Sequence, residues 1–253
     1  GILGVGPIEY DNGENQYYSC SGNTCSAYLL PAQNPPLIAN PVTAIHNAAF
    51  DQTSTDYNGI SLAMNSVPEG GQAADYGNLT FGIGTETNNN PSSTVQVFSG
   101  NINDNFAAAI LTKFGGTTID GYIDSGTNGY AFNSPLNGPI TECPSNSPPN
   151  GPWYCPASAT SESATIEGGN GTPQSQSIGF TIGNAQQLIQ NGVYAQPELG
   201  GPFGSPPLFD WGLPFFYGKT VYVGIEGLSA LTNTSCGSCT TAPCSCEGPF
   251  FAY

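Results

Sequence analysis

Glycine and proline punctuate this chain so often, 34 and 22 times in 253 residues, that its apolar residues fall into short runs, each soon closed by a turn signal. That pattern suits strands, turns and loops, and leaves little room for helix. Residues 2–5, 44–50, 59–64, 79–83, 94–98, 106–114, 117–124, 177–182, 208–216, 220–225 and 250–253 each read as a strand. Asp56-Tyr57-Asn58-Gly59 predicts the turn of a hairpin between 44–50 and 59–64. Residues 13–40, 134–175 and 195–207 read as loops, the second carrying one short strand near 164–166. The best helix signal is 184–190, with Gly192 just beyond its end. There is no internal repeat and no long linker. The expectation is one mainly β domain over 1–253, with long loops, one or two short helices and a Cys-rich insert at 231–247.

Charge removes whole classes of function. The chain has 18 acidic residues, two basic ones (Lys113 and Lys219), no arginine and a net charge of -16. Nucleic-acid binding needs cations to neutralise phosphates, and a polybasic membrane patch needs the same, so neither is expected. No apolar run reaches the roughly 18 residues a membrane-spanning helix requires. Hydrophobic residues at 38% suffice for a core, so disorder in bulk is not expected either.

Eight cysteines point to an oxidising compartment, and so to a secreted, extracellular or cell-surface protein. Cys20 and Cys25 enclose a short loop, and Cys143 and Cys155 bracket a longer one; both read as local disulfides. Cys236, Cys239, Cys244 and Cys246 crowd one tail segment. Their spacing fits two disulfides, and also a four-thiolate zinc site, with disulfides the plainer reading. Asn78, Asn170 and Asn233 head Asn-x-Ser/Thr sites that a glycosylating host would recognise. The chain opens on Gly1 without Met and shows no signal peptide, which predicts that a segment has been removed upstream.

Chemistry concentrates at Ile123-Asp124-Ser125-Gly126-Thr127. Asp124 would stand at a loop apex after an apolar strand. Gly126 lets backbone amides donate to the carboxylate, the Thr127 hydroxyl holds its outer oxygen, and the Ser125 hydroxyl bonds across to a neighbouring loop. The plain alternative is a type I turn with Asp at its start. Acid–base work on paired carboxylates needs a second carboxyl within about 3 Å, and no second Asp-Ser/Thr-Gly occurs. Asp120, four residues earlier on the same strand, does not build such a pair. His46, the one histidine, has no Gly-x-Ser-x-Gly partner and reads as a surface or hairpin residue. Gly82-Ile83-Gly84 has no helix after it and is no phosphate loop. Trp211 and its flanking phenylalanines read as core. No cofactor and no metal are expected.

Three segments together resemble the C-terminal lobe of a pepsin-like aspartic peptidase. Gly1-Ile2-Leu3-Gly4-Val5-Gly6 resembles the apolar-Gly strand after the flap. Asp124-Ser125-Gly126-Thr127 resembles the catalytic loop, and Asp210-Trp211-Gly212-Leu213-Pro214-Phe215-Phe216 resembles the strand beside that loop. The run from Gly248 to Ala252 resembles the closing strand. With Phe-Gly-Ile-Gly-Thr at 81–85, the same motifs occur in this order in an uncharacterised family of secreted bacterial proteins known only as a domain of unknown function. The resemblance implies a pepsin-like fold, with Asp124, Ser125, Gly126 and Thr127 as the catalytic loop and Trp211 and Gly212 as its support. It also implies that the second Asp comes from a missing N-terminal lobe or from another copy of the chain. An apolar strand edge at Gly1 to Gly6 would seek that partner. A non-catalytic extracellular fibre, sheath or surface subunit is the alternative.

Overall fold

Strand after strand alternates buried and open positions, as a pleated chain with one face on a core must. Ile110, Thr112 and Phe114 are buried along one strand, as are Ile178, Phe180 and Ile182 along another. The computed structural model describes residues 5–10, 17–22, 24–28, 39–46, 55–101, 109–134, 138–145, 151–169, 174–228, 230–233 and 244–253. In chain order the strands are β1 (Tyr17–Ser21), β2 (Thr24–Tyr28), β3 (Gly59–Met64), β4 (Gly77–Phe81), β5 (Val97–Ser99), β6 (Ile110–Phe114), β7 (Thr117–Ile123) and β8 (Tyr130–Phe132). They continue as β9 (Thr160–Glu167), β10 (Ser175–Ile182), β11 (Gly200–Gly201), β12 (Phe209–Trp211), β13 (Thr220–Gly224), β14 (Ala230–Asn233), β15 (Cys244–Glu247) and β16 (Phe250–Ala252). Helix α1 (Ala185–Gln190) is the one α-helix among the described residues, and its N-terminus is capped by the Asn184 side chain. The chain is mainly β, and no described helix is long and apolar enough to cross a membrane.

Two sheets carry the core. A seven-stranded sheet runs β10-β9-β6-β7-β12-β8-β11, and a five-stranded sheet runs β4-β3-β13-β16-β5. Side chains of both enter one apolar cluster: Phe114, Phe132, Phe209 and Trp211 from the first, Phe98, Val223 and Phe251 from the second. One detail of topology positions everything that follows. β12 is inserted between β7 and β8, two consecutive strands, and runs parallel to β7 and antiparallel to β8.

Several expectations change. Residues 44–46 belong to a 3₁₀ turn, Pro41–His46, and not to a strand. Its start is built by Asn40, whose Oδ1 accepts from the Val42 amide at 3.1 Å. His46 lies at the end of this turn. Within the expected loop 13–40, Tyr17–Ser21 and Thr24–Tyr28 form a hairpin with Cys20 opposite Cys25. The strand expected near 164–166 is eight residues long, paired on both sides by β10 and β6. The strand expected over 208–216 stops at Trp211. Pro214, which has no N–H for a ladder, sits in a 3₁₀ turn, Leu213–Phe216. Residues 1–4 lie outside the described part, and Val5 and Gly6 are not in a strand.

Cys143 and Cys155 are joined, with Cα atoms 4.7 Å apart, and Cys246 is disulfide-bonded too. Cys236 and Cys239 lie outside the described residues, and Cys244 opens β15 opposite Asn233. Among the described residues no cluster of His, Cys, Asp and Glu is arranged to hold a metal ion.

Candidate functional site

β7 ends at Ile123, and the loop that follows folds back on its own aspartate. The Gly126 amide donates to Asp124 Oδ1 at 2.7 Å, and the Thr127 hydroxyl donates to Asp124 Oδ2 at 2.9 Å. The Thr127 amide reaches the Asp124 carbonyl at 3.4 Å, so the loop is also a turn with Asp at its start. β12 grips this loop from the side. The Asp124 amide donates to the Trp211 carbonyl at 3.2 Å, and the Leu213 amide donates to the Thr127 carbonyl at 2.7 Å. Only glycine fits at 212. A Cβ there would stand 2.7 Å from the Thr127 carbonyl oxygen and collide with that of Gly129. Its φ of -65° is ordinary, so the requirement is one of space.

Alternation along β12 does the rest. Phe209 and Trp211 lie on one face, ring centroids 4.3 Å apart, and are completely buried. The Trp211 indole donates to the Thr112 hydroxyl at 2.9 Å, which satisfies its polar edge inside the core. Asp210 between them must face the other way, and there it meets the Asp124 loop. It is only 7% exposed, and its Oδ1 has no hydrogen-bond partner among the described residues. Burial pushes the Asp210 carboxyl up to about 7, with the Asp124 charge adding to the push and the Thr127 hydroxyl opposing it.

Asp124 and Asp210 open on a cavity of about 470 Å³ whose apolar walls include Val5, Ile123, Phe203 and Phe251. One wall is the segment 5–8, whose first two residues close the Gly1–Gly6 stretch expected as an edge strand. It is pinned in place: Asn40 Nδ2 donates to the carbonyls of Gly6 at 2.8 Å and Ile8 at 3.1 Å, and the Glu226 amide donates to that of Pro7 at 2.8 Å.

The structure thus brings Asp124, Gly126, Thr127, Trp211 and Gly212 together, with Ser125 half-buried in the same loop. Asp120 stays on β7 opposite Leu111. Lys219 lies elsewhere, its ammonium donating to the Phe215 carbonyl at 2.7 Å, and burial holds its pKa below the usual lysine value. Asn78 is exposed on β4, Asn233 ends β14, and Asn170 lies outside the described residues. Sequence reasoning passed over Asp210. The available signal was an acid inside Phe-Asp-Trp, an apolar run where a charge needs a reason. A carboxyl from a strand, and not from a second Asp-Ser/Thr-Gly, thus lies beside the Asp124 loop.

Residues 1–253 match the family described as "Protein of unknown function (DUF3443)", and the chain belongs to that family. A search of curated proteins found no match.

Proposed function

We propose that this member of the family is an aspartic-peptidase-like lobe of a secreted or cell-surface protein, with Asp124 as its working carboxylate. A second loop carboxylate comes from an N-terminal lobe or a second copy. The observation that carries this reading is the insertion of β12 between β7 and β8, with the Trp211 carbonyl and the Leu213 amide clamping the Asp124 loop. A carboxylate held at both oxygens by fixed donors is preorganised to act on a proton. In the reaction, one carboxylate takes a proton from water as the water oxygen attacks a peptide carbonyl carbon, and the protonated partner gives its proton to the carbonyl oxygen. The C–N bond of the tetrahedral adduct then breaks and the amine leaves with a proton. The test is cleavage of an unfolded protein at acid pH by secreted full-length material and by its Asp124→Asn variant. Loss of cleavage in the variant is expected; unchanged turnover removes the role.

A second reading, a non-catalytic surface subunit, draws on β4. This edge strand exposes Leu79 and Phe81 on one face, next to Tyr76 at 75% exposure, and unpaired apolar edges recruit other strands. Large ordered assemblies of native material without cleavage would favour it.

A further inference from the structure

A carboxyl outside the Asp124 site also has an oxygen without a partner. Glu198 stands two residues before β11 and is only 7% exposed. Its Oε2 accepts from the Gly70 amide at 2.9 Å, which ties down the turn at 68–71 between β3 and β4. Its Oε1 is buried and has no hydrogen-bond partner among the described residues. Buried polar atoms are nearly always hydrogen-bonded, and a carboxylate oxygen left unanswered is costly. Holding the turn accounts for one oxygen. The other is open to a donor from outside the chain.

Glu198 borders a cleft of about 460 Å³ that shares no lining residue with the cavity at Asp124. It is buried where Glu69, Gln187 and Asn191 are exposed, so it forms the floor and they form the rim. Gly183 keeps that floor uncovered: a Cβ there would stand 3.7 Å from the Glu198 carboxyl carbon. The walls are fastened before any ligand arrives. The Asn184 side chain donates to the Pro156 carbonyl at 3.1 Å, joining the start of α1 to the segment before β9. The Gly183 amide donates to the Glu198 carbonyl at 2.9 Å. Asn184, Gln187, Leu188 and Asn191 fall three and four apart, so one stripe of α1 and its caps faces the cleft.

The lining selects the ligand. Two acidic side chains and no basic one face the cleft, which turns anions away. Lys219 borders a neighbouring cleft that also touches Glu198. Its ammonium donates to the Phe215 carbonyl at 2.7 Å and lies 4.6 Å from the centre of that ring, and Oε1 stays unanswered. A calcium ion would want six or more oxygens, and among the described residues no cluster of acids and histidines is arranged to hold a metal. An ammonium brings three donors and no acceptor, which suits a free carboxylate oxygen with amide oxygens around it. Pro156, Ala157 and Leu188 offer aliphatic contact and no aromatic face. We infer that this cleft binds a primary ammonium carried on a short aliphatic chain. The head donates to Glu198 Oε1, the Glu69 charge draws it in, and the methylenes lie against the aliphatic wall. The site stands apart from Asp124 and goes beyond the proposed function.

The experiment is an amide NMR titration of the full chain with n-butylammonium chloride, read at Gly70 and Gly183, the two glycines against Glu198. Both signals are expected to shift saturably. n-Butanol, the same chain without the charge, should move them little, and sodium butyrate not at all. Glu198→Gln keeps an oxygen for the Gly70 amide and should weaken binding about tenfold through loss of the charged hydrogen bond. Glu69→Lys changes an exposed side chain, so it should spare the fold, and its ammonium at the rim should abolish amine binding. A free amine and a peptide lysine carry the same head, and Nα-acetyl-lysinamide separates them: tighter binding than n-butylammonium assigns the site to lysine side chains, weaker binding to free amines. Signals that stay in place, n-butanol binding as tightly as the amine, calcium chloride saturating the same shifts at lower concentration, or wild-type affinity in Glu69→Lys each overturn the inference. None of these outcomes touches the role of Asp124.

Discussion

Replacing Gly212 by alanine tests the grip of β12 on the Asp124 loop. The new Cβ would lie 2.7 Å from the Thr127 carbonyl oxygen and overlap that of Gly129, both backbone atoms of the loop that holds Asp124. Neither can swing away as a side-chain tip would. Overpacking of this kind costs about 1–3 kcal/mol. Forcing the loop outward also stretches the 2.7 Å bond from the Leu213 amide to the Thr127 carbonyl, worth about 1 kcal/mol. Against this, alanine restricts the unfolded chain and returns roughly 0.5–1 kcal/mol. The net destabilisation is about 1–3.5 kcal/mol, a fall in melting midpoint of roughly 2–14 °C for a chain of this size. Circular dichroism melting gives the midpoint, and hydrogen exchange at the Asp124 and Leu213 amides shows whether the damage is local. Gly179→Ala is the control: an exposed glycine on β10 with nothing within 4 Å of its Cβ position. A wild-type midpoint in Gly212→Ala, with the two amides still protected, refutes the close-approach argument.

Two further predictions concern stability. Burial, with the Asp124 charge beside it, pushes the Asp210 carboxyl up to about 7 from an ordinary 3.8. Between those values the unfolded chain has released a proton that the native chain still holds. Stability should therefore be highest below about pH 4 and decline as pH rises towards 7, by at most about 4 kcal/mol from this group. Urea unfolding from pH 4 to 8 should show that decline in the wild type and a flatter curve in Asp210→Asn; equal slopes would dissociate Asp210 from it. Removing the bond between Cys143 and Cys155, which closes a loop of separation 12, should cost about 3 kcal/mol through loop-closure entropy. A double Cys→Ala variant with an unchanged denaturant midpoint would mean that the Cys143 and Cys155 backbone bonds to Trp153 and Thr141 hold the loop by themselves.

Much of this architecture could be read locally. A strand is recognised by residues two apart along one segment, so β3, β6, β7, β10 and β13 stand near the positions their alternation predicts. Local stop signals override the apolar pattern at two places. Asn40-Pro41 opens a 3₁₀ turn in place of a strand, and Pro214 ends β12. The Asp124 turn was legible too, because its donors, Gly126 and Thr127, are close neighbours in the chain.

The chain order alone therefore settles a mainly β protein with disulfides and a self-supporting acidic turn. It says nothing of what stands beside that turn. Only the folded sheet, by threading β12 between β7 and β8, turns Asp210 away from its aromatic neighbours and towards Asp124. The reason is that a carboxyl's ionisation depends on burial and on charges a few ångströms away in space. Residues far apart along the chain supply both.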